Sequence, residues 1–143
     1  MTNILSQLGD GFATPLDVRR LDHDRWEVLS PFVYFLETPF EYIEVHKGFV
    51  TDFASVPFPF SRIFPPVGKS YDRASVIHDF LYWLPYVWDL NGTCREIDQE
   101  EADRIYLDAM RTSKTPLLVR RSIYMGVRLG GSKAWNKYRK EDI

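Results

Sequence analysis

Four prolines between Val56 and Gly68, in the segment VPFPFSRIFPPVG, divide the chain into two parts with different hydrophobic patterns. Proline has a fixed φ and no backbone N–H, so a helix or strand is excluded across this segment. The residues before it resemble strands in their partial alternation, and the residues after it repeat apolar positions with a helical period. The pattern predicts an α+β fold, with strands first and helices after.

Three stretches of the first part are rich in β-branched and aromatic residues. They are PLDVRRL, WEVLSPFVYFLE and EYIEVHKGFV, separated by the turn-prone DHD and TPFE. Such stretches are typical of strands joined by short turns. We expect residues 1–55 to form a small antiparallel β-meander, the β-rich part of a single domain.

The second part predicts three helices. The first covers residues 70–83 and ends before Pro85. The second covers residues 99–112, because Asp98 stands three residues before Glu101 as in a capping box.

The third helix is predicted to begin with Thr115 as N-cap and Pro116 at the first helical position. It continues to Gly130 and Gly131, which close the helical part of the domain, residues 70–131. Residues 132–143 are expected to form a basic and polar tail.

Length and composition fit one domain without a membrane span. The chain has 143 residues and no uninterrupted apolar run long enough to cross a bilayer. Its first residues, MTNILSQLGDGF, lack the basic start and long apolar run of a signal peptide. The lone Cys94 excludes an internal disulfide framework and argues against a cysteine metal cluster. We expect a protein made in the cytoplasm, with no signal peptide.

Charge is unevenly distributed along the chain. From Lys114 onward eight basic residues stand against Glu141 and Asp142, a net charge of +6, so the rest carries −8 to give −2 overall. A solvated helix face and a face that binds phosphates both account for this distribution. Among phosphate partners we expect lipid headgroups rather than nucleic acid.

The first helix carries a polar group at the edge of an apolar arc. On a wheel of about 100° per residue, His78 lies at the border of the arc and Tyr82 stands one turn further along. Asp79 and Ser75 continue around the polar flank. An imidazole between core and solvent suits acid–base chemistry, although a helical histidine with no such role is common.

The second helix carries a carboxylate on its apolar face, where Asp103 lies among buried positions. Burying a carboxylate costs free energy unless it is paired or hydrogen-bonded. His78 with Tyr82 is one candidate partner; a backbone cap or an arginine is the alternative. The apolar face itself consists of Ala102, Ile105, Tyr106, Ala109 and Met110.

Two motifs resemble phospholipase A2. The stretch His78-Asp79-Phe80-Leu81-Tyr82 is similar to the H-D-x-x-Y signature of these enzymes, and the stretch 101–106, EADRIY, resembles A-D-x-x-F of the disulfide-free viral, parvoviral capsid type. The resemblance implies that His78 is the general base for water and that Asp103 orients its imidazole. It further implies that Tyr82 hydrogen-bonds Asp103 and that Asp79 ligates calcium. The glycine-rich calcium loop of that family has no counterpart upstream of His78.

A second resemblance covers more of the chain. The segment 48–57, GFVTDFASVP, followed by H-D-x-L-Y and Ala102-Asp103, looks like a family of uncharacterised proteins from phages and prophages. It implies phage origin but no established activity. Association with the virion and contact with phage structural proteins are further expectations. Asp52 in this segment is a candidate metal ligand in place of the missing calcium loop; an Asx-turn at the strand exit is the alternative.

Aromatic segments flank these motifs and suggest a contact surface. Aromatic loops beside a cleft are typical of enzymes acting on a membrane lipid surface and also of protein–protein surfaces. Packing onto the core is the third interpretation. The residues are Phe58, Phe60, Ile63 and Phe64 before the site, and Trp83, Tyr86 and Trp88 after it.

The preferred hypothesis is a phage-associated, phospholipase A2-like hydrolase that activates water through His78 and Asp103. A divalent metal, calcium, is expected near Asp79 and Asp52. The first alternative is another metal-dependent hydrolase, for peptidoglycan or a nucleotide, in which these four side chains bind zinc. The second is a non-catalytic virion or tail component that keeps the fold.

Overall fold

Antiparallel strands in two sheets, and helices packed against them, form the α+β fold that the sequence predicts. The computed structural model describes residues 11–23, 25–36, 40–52 and 70–141. The strands are β1 Val18–Arg20, β2 Trp26–Val28, β3 Phe32–Phe35, β4 Glu41–Val45, β5 Val50–Thr51, β6 Tyr86–Asp89 and β7 Cys94–Glu96. The helices are α1 Asp72–Trp83, α2 Gln99–Thr112, α3 Leu117–Gly130 and α4 Ser132–Glu141.

The strands form two small sheets in place of the single meander that we expected. One sheet has the order β1-β2-β5 and the other β3-β4-β6-β7, with antiparallel neighbours throughout. The stretch WEVLSPFVYFLE supplies β2 to the first sheet and β3 to the second. Pro31 stands between them and lacks the N–H that a continuous ladder would need.

The hairpin formed by β6 and β7 lies inside the region predicted to be helical. Its turn contains Asn91-Gly92, and Gly92 has a φ of +83°. The Asp89 side chain closes the turn, since its Oδ1 accepts hydrogen bonds from the backbone N–H groups of Asn91 and Thr93, both at 2.9 Å. An Asn-Gly pair between short strands is a strong hairpin signal, so this correction to the helical interpretation of residues 70–131 was available in the sequence.

The predicted boundaries hold for α2 and for the ends of α1 at Trp83 and α3 at Gly130, whereas α1 and α3 begin later than predicted. The Asp98 cap is confirmed, because its Oδ1 accepts a hydrogen bond from the Glu101 N–H at 2.8 Å. The Thr115 cap is wrong: α3 begins at Leu117, after Pro116, and no side chain caps it.

The expected polar tail is also wrong, because residues 132–141 form α4. The reason is tertiary packing: Trp135 and Tyr138 of α4 pack against the core. Within the described residues, the helices are all too short or too polar to cross a membrane.

Helix α1 is largely buried and contacts α2, α4 and strands of both sheets. Its buried side chains pack against the second sheet and against the apolar face of α2. Arg95 of β7 ties the sheet to α2, since it contacts Glu41 at 2.7 Å and Glu101 at 2.6 Å. This packing fixes the position of the polar residues on α1. The proline-rich segment 56–68 lies outside the described residues.

Candidate active site

The Asp103 carboxylate joins α1 to α2 at the place where the sequence requires a partner for it. His78 Nε2 lies 2.7 Å from Asp103 Oδ1, and the Tyr82 hydroxyl donates to the same oxygen at 2.7 Å. Asp103 is fully buried and His78 is 7% exposed. The three side chains that the sequence selects as catalytic are therefore in direct contact.

Arg128 of α3 is a further partner of Asp103, which the sequence reasoning did not identify. Its NH1 donates to Asp103 Oδ2 at 2.7 Å. Both predicted kinds of partner are therefore present. Asp103 Oδ1 contacts His78 and Tyr82, and Oδ2 contacts an arginine. The only available signal was the buried carboxylate itself, since no spacing distinguishes Arg128 from the other basic residues after residue 113.

Burial and hydrogen bonding set the protonation of this pair. Burial lowers the pKa of His78 below its ordinary value of 6.5, and the hydrogen bond with Asp103 opposes that shift without reversing it. Burial alone would raise the pKa of Asp103, but hydrogen bonds from His78, Tyr82 and Arg128 more than offset it and the pKa is lowered. A neutral imidazole beside a carboxylate carries its proton on Nε2, which leaves the Nδ1 lone pair available as a base.

Two tyrosine rings pack against the imidazole ring of His78 and restrict its orientation. The His78 ring centroid lies 4.3 Å from that of Tyr82 and 4.4 Å from that of Tyr106, which is stacked at 25°. The Tyr106 hydroxyl is 2.8 Å from Ser75 Oγ, which donates to the Tyr71 carbonyl at 2.7 Å. The sequence reasoning assigned Ser75 to the polar flank. It is fully buried instead and helps to position the ring that stacks on His78.

A second acidic pair lies on the other flank of α1. The Thr51 hydroxyl donates to Asp79 Oδ2 at 2.7 Å. The Asp79 carboxyl group also hydrogen-bonds the Asp52 carboxyl group and accepts from the Asp52 backbone N–H. Burial, followed by the charge of Asp52, raises the pKa of Asp79 well above its ordinary value. The two acids that the sequence selects as metal ligands therefore converge, and Thr51 joins them.

These oxygens are the site's candidates for binding a metal. Within the described ranges, no cluster of three or more His, Cys, Asp and Glu side chains is arranged to hold a metal ion. Asp103, one of the four residues of the zinc hypothesis, already accepts hydrogen bonds from His78, Tyr82 and Arg128. Asp52, Asp79 and the Thr51 hydroxyl form an all-oxygen set, which suits a hard cation such as calcium better than zinc.

Helix α4 closes over the end of α1. Arg139 NH2 donates to the carbonyls of Tyr82 at 2.6 Å and Trp83 at 3.0 Å, which are among the last carbonyls of α1. The Trp135 ring lies edge-on to the Tyr82 ring, with centroids 5.2 Å apart. Burial raises the pKa of Tyr138, and the charges of Asp79 and Asp52 raise it further. The segment that we expected to be a polar tail thus contributes to both parts of the site.

Gly131, between α3 and α4, lies against the Tyr82 hydroxyl. A Cβ atom there would be 2.5 Å from that oxygen and 2.5 Å from the Val127 carbonyl. We expect Gly131→Ala to lower the free energy of unfolding by about 1–3 kcal/mol, because the added methyl must displace one of these atoms. Gly130→Ala, at an exposed helical position, is the matched control and should be neutral or slightly stabilising. Urea unfolding of both variants measures the difference, and equal stabilities would show that Tyr82 tolerates displacement.

Of the predicted aromatic residues after the site, Trp83 is partly buried, whereas Tyr86 and Trp88 are exposed. Trp83 packs with Phe49 and Phe80, with ring centroids 5.7 and 5.9 Å away. Tyr86 and Trp88 are 38% and 40% exposed, but they lie on β6 and not on a loop as we expected. The other predicted aromatic loop, Phe58, Phe60, Ile63 and Phe64, lies outside the described residues.

Comparison with known proteins assigns the chain to a family and adds no activity. Neither the curated proteins nor the solved structures contain a significant match to it. One family model matches residues 26–127, which include His78, Asp79, Tyr82 and Asp103. The chain therefore belongs to the family described as a protein of unknown function, DUF1353, which agrees with the expectation of an uncharacterised family.

Proposed function

We propose that this protein is a phospholipase A2-like hydrolase that uses His78 and Asp103 to activate water. One observation carries the proposal: Asp103 Oδ1 is 2.7 Å from both His78 Nε2 and the Tyr82 hydroxyl. An H-D-x-x-Y helix whose histidine and tyrosine share a carboxylate from the next helix is the arrangement that the resemblance implies. The carboxylate fixes the tautomer and orientation of a general base.

The proposed reaction is hydrolysis of an ester. The Nδ1 atom of His78 accepts a proton from water while the water oxygen bonds to the ester carbonyl carbon, which gives a tetrahedral oxyanion. When this intermediate collapses, the bond between the carbonyl carbon and the alkoxy oxygen breaks. The proton on Nδ1 passes to the leaving oxygen, so the products are a carboxylic acid and an alcohol. Asp103 keeps its charge throughout and stabilises the imidazolium that forms.

Asp79, Asp52 and Thr51 would hold a divalent cation, and their oxygen donors suit calcium. When bound, such an ion supplies positive charge that stabilises an oxyanion. Burial raises the pKa of Tyr138 on α4, and the charges of Asp79 and Asp52 raise it further. The resemblance of the GFVTDFASVP segment to phage proteins extends the proposal to a phage-encoded enzyme associated with the virion.

The test is turnover of a phospholipid ester by the full chain in calcium and in a chelator. We expect release of fatty acid in calcium, with a loss of tenfold or more after chelation, because the oxyanion then loses its positive charge. Asp52→Asn should reproduce the loss at saturating lipid, whereas Glu44→Gln, an exposed acid on β4, should not.

Other results would favour the other hypotheses. Tightly bound zinc by elemental analysis, together with cleavage of peptidoglycan or a nucleotide and not of lipid, would replace the proposal with the zinc hydrolase. Absence of turnover on all of these substrates, with the folded protein incorporated into phage particles, would favour the non-catalytic virion component.

A further inference from the structure

The outward face of α3 is apolar where a surface helix is normally polar. Leu118, Met125 and Leu129 are 80%, 59% and 79% exposed. They fall within about 40° of one another on a helical wheel, so they form one stripe along the helix. Single exposed leucines are common on protein surfaces, but an aligned apolar row marks an interaction surface. We refer to these three residues as the α3 stripe.

The chain around the α3 stripe is strongly basic. From Lys114 to Lys140 the sequence contains eight Lys and Arg residues and no Asp or Glu. Arg121 lies about 40° from Met125 on the wheel and is exposed, so it borders the stripe directly. Lys133 and Lys137 are exposed on α4, the next helix. Apolar and cationic side chains are therefore presented by the same part of the molecule.

We infer that the α3 stripe and its basic border form a docking surface for membranes that contain anionic lipid. Leu118, Met125 and Leu129 would enter the boundary between headgroups and acyl chains, while Arg121 contacts lipid phosphates. Helices that combine exposed leucines with Lys and Arg bind membrane interfaces by these two contributions.

Other binding partners would match either the basic residues or the apolar stripe, but not both. A nucleic acid would pair with the basic residues but would leave the leucines in water. A second copy of the chain would cover the leucines, but a two-fold interface pairs a patch with itself and would bring the basic residues of the two copies together. An anionic lipid surface accommodates both the apolar stripe and the charge.

The surface borders the candidate active site. Arg128, next to Leu129 in the chain, donates to Asp103 Oδ2 at 2.7 Å. Docking through α3 would therefore bring His78 and Asp103 close to lipid. The inference does not depend on the proposed function, because vesicle binding requires no turnover.

Vesicle co-sedimentation of the full chain tests the inference, with ether-linked lipids that an esterase cannot cleave. Vesicles of phosphatidylcholine alone are compared with equal mixtures of phosphatidylcholine and phosphatidylglycerol. We expect at least tenfold stronger partitioning onto the anionic vesicles, weakening as salt is raised.

Two variants and two matched controls separate the contributions. The double substitution Leu118→Ser with Leu129→Ser, and Arg121→Glu alone, should each reduce partitioning roughly tenfold. Leu90→Ser, at a 59% exposed leucine in the β6–β7 turn, and Arg104→Glu, at an exposed arginine on α2, should bind like the parent chain. Thermal melts of all five proteins verify that they are equally folded.

Three results would overturn the inference. The first is no binding to anionic vesicles, or binding that the leucine substitutions leave unchanged. The second is binding to duplex DNA without binding to vesicles. The third is a dimer in sedimentation that the leucine substitutions dissociate, again without vesicle binding. Vesicle binding without lipid hydrolysis would contradict the proposed function alone.

Discussion

A His78→Gln variant should keep its fold and lose ester hydrolysis by about two orders of magnitude or more, the usual scale for removal of a general base. Glutamine can still donate a side-chain hydrogen bond to Asp103, but it cannot accept a proton from water at neutral pH. The measurement is turnover per folded molecule, with the melting temperature determined on the same sample.

His46→Gln is the matched control for this substitution. His46 is exposed, and its ring lies 5.4 Å from that of Trp83, the last residue of α1. Its turnover should be unchanged. Normal turnover by folded His78→Gln, or a loss confined to His46→Gln, would rule out His78 as the base.

The same assignment gives a direction for the pH dependence of hydrolysis. Because burial lowers the pKa of His78, its imidazole stays unprotonated to a lower pH than an exposed histidine with the ordinary value of 6.5. The acid limb of the rate profile should therefore lie below 6.5. The stability that this group contributes is present above the unfolded pKa and is lost as pH falls through the folded pKa, because the unfolded chain then binds the extra proton.

Asp103→Asn should lower the free energy of unfolding by about 1–3 kcal/mol, the range for a buried polar group left without its partner. Asp103→Ala should lower it by about 3–5 kcal/mol, because the fully buried carboxylate is then removed from all three of its donors. Chemical unfolding measures both values.

The asparagine variant has no orientation that satisfies every donor. If its amide oxygen faces His78 and Tyr82, its NH2 group faces the Arg128 guanidinium, and two donors meet. If the oxygen faces Arg128, the NH2 group faces His78 Nε2, which can accept only when the imidazole proton moves to Nδ1. That tautomer has no lone pair at the position where water would be activated, so hydrolysis should fall in addition to stability.

Asp108→Asn is the control on the same helix. Its carboxylate is exposed and pairs with Arg111 at 3.3 Å, so the substitution should change stability by about 0.5 kcal/mol or less. Destabilised Asp103→Asn with normal turnover per folded molecule would leave Asp103 a structural residue only.

The contact between His78 and Asp103 could be predicted from the sequence because it follows from the helical period of two neighbouring helices. Helical periodicity places His78 and Tyr82 on one line of α1, and the same period places Asp103 on the buried face of α2. A buried carboxylate needs hydrogen-bond donors, and the polar residues on the border of α1 were candidates. The α+β class followed in the same way, from patterns that repeat within a few residues.

The sequence could not predict contacts that depend on how distant elements pack. Arg128 reaches Asp103 only because α3 lies along α2, and no local pattern reports that packing. Likewise, β6 pairs with β4 across more than forty residues, so its strand character depends on a distant partner. The sequence likewise left Asp52 as either a metal ligand beside Asp79 or an Asx-turn residue. Asp52 follows a strand and Asp79 lies on a helix, so their contact depends on how these distant elements pack.

The contacts around Asp103 have a consequence for when the protein becomes functional during its synthesis. His78 lies 25 residues before Asp103 in the chain, and Arg128 lies 25 residues after it. Arg139, which caps α1 at Tyr82, lies 57 residues beyond that tyrosine. Translation completes α1 and α2 before either arginine has left the ribosome, and a domain generally folds as a unit. Until then one oxygen of Asp103 has no donor and the last carbonyls of α1 have no cap. The site reaches its final geometry only after α4 is made. Any activity of the site is therefore expected only once α4 has been synthesised and has packed against α1.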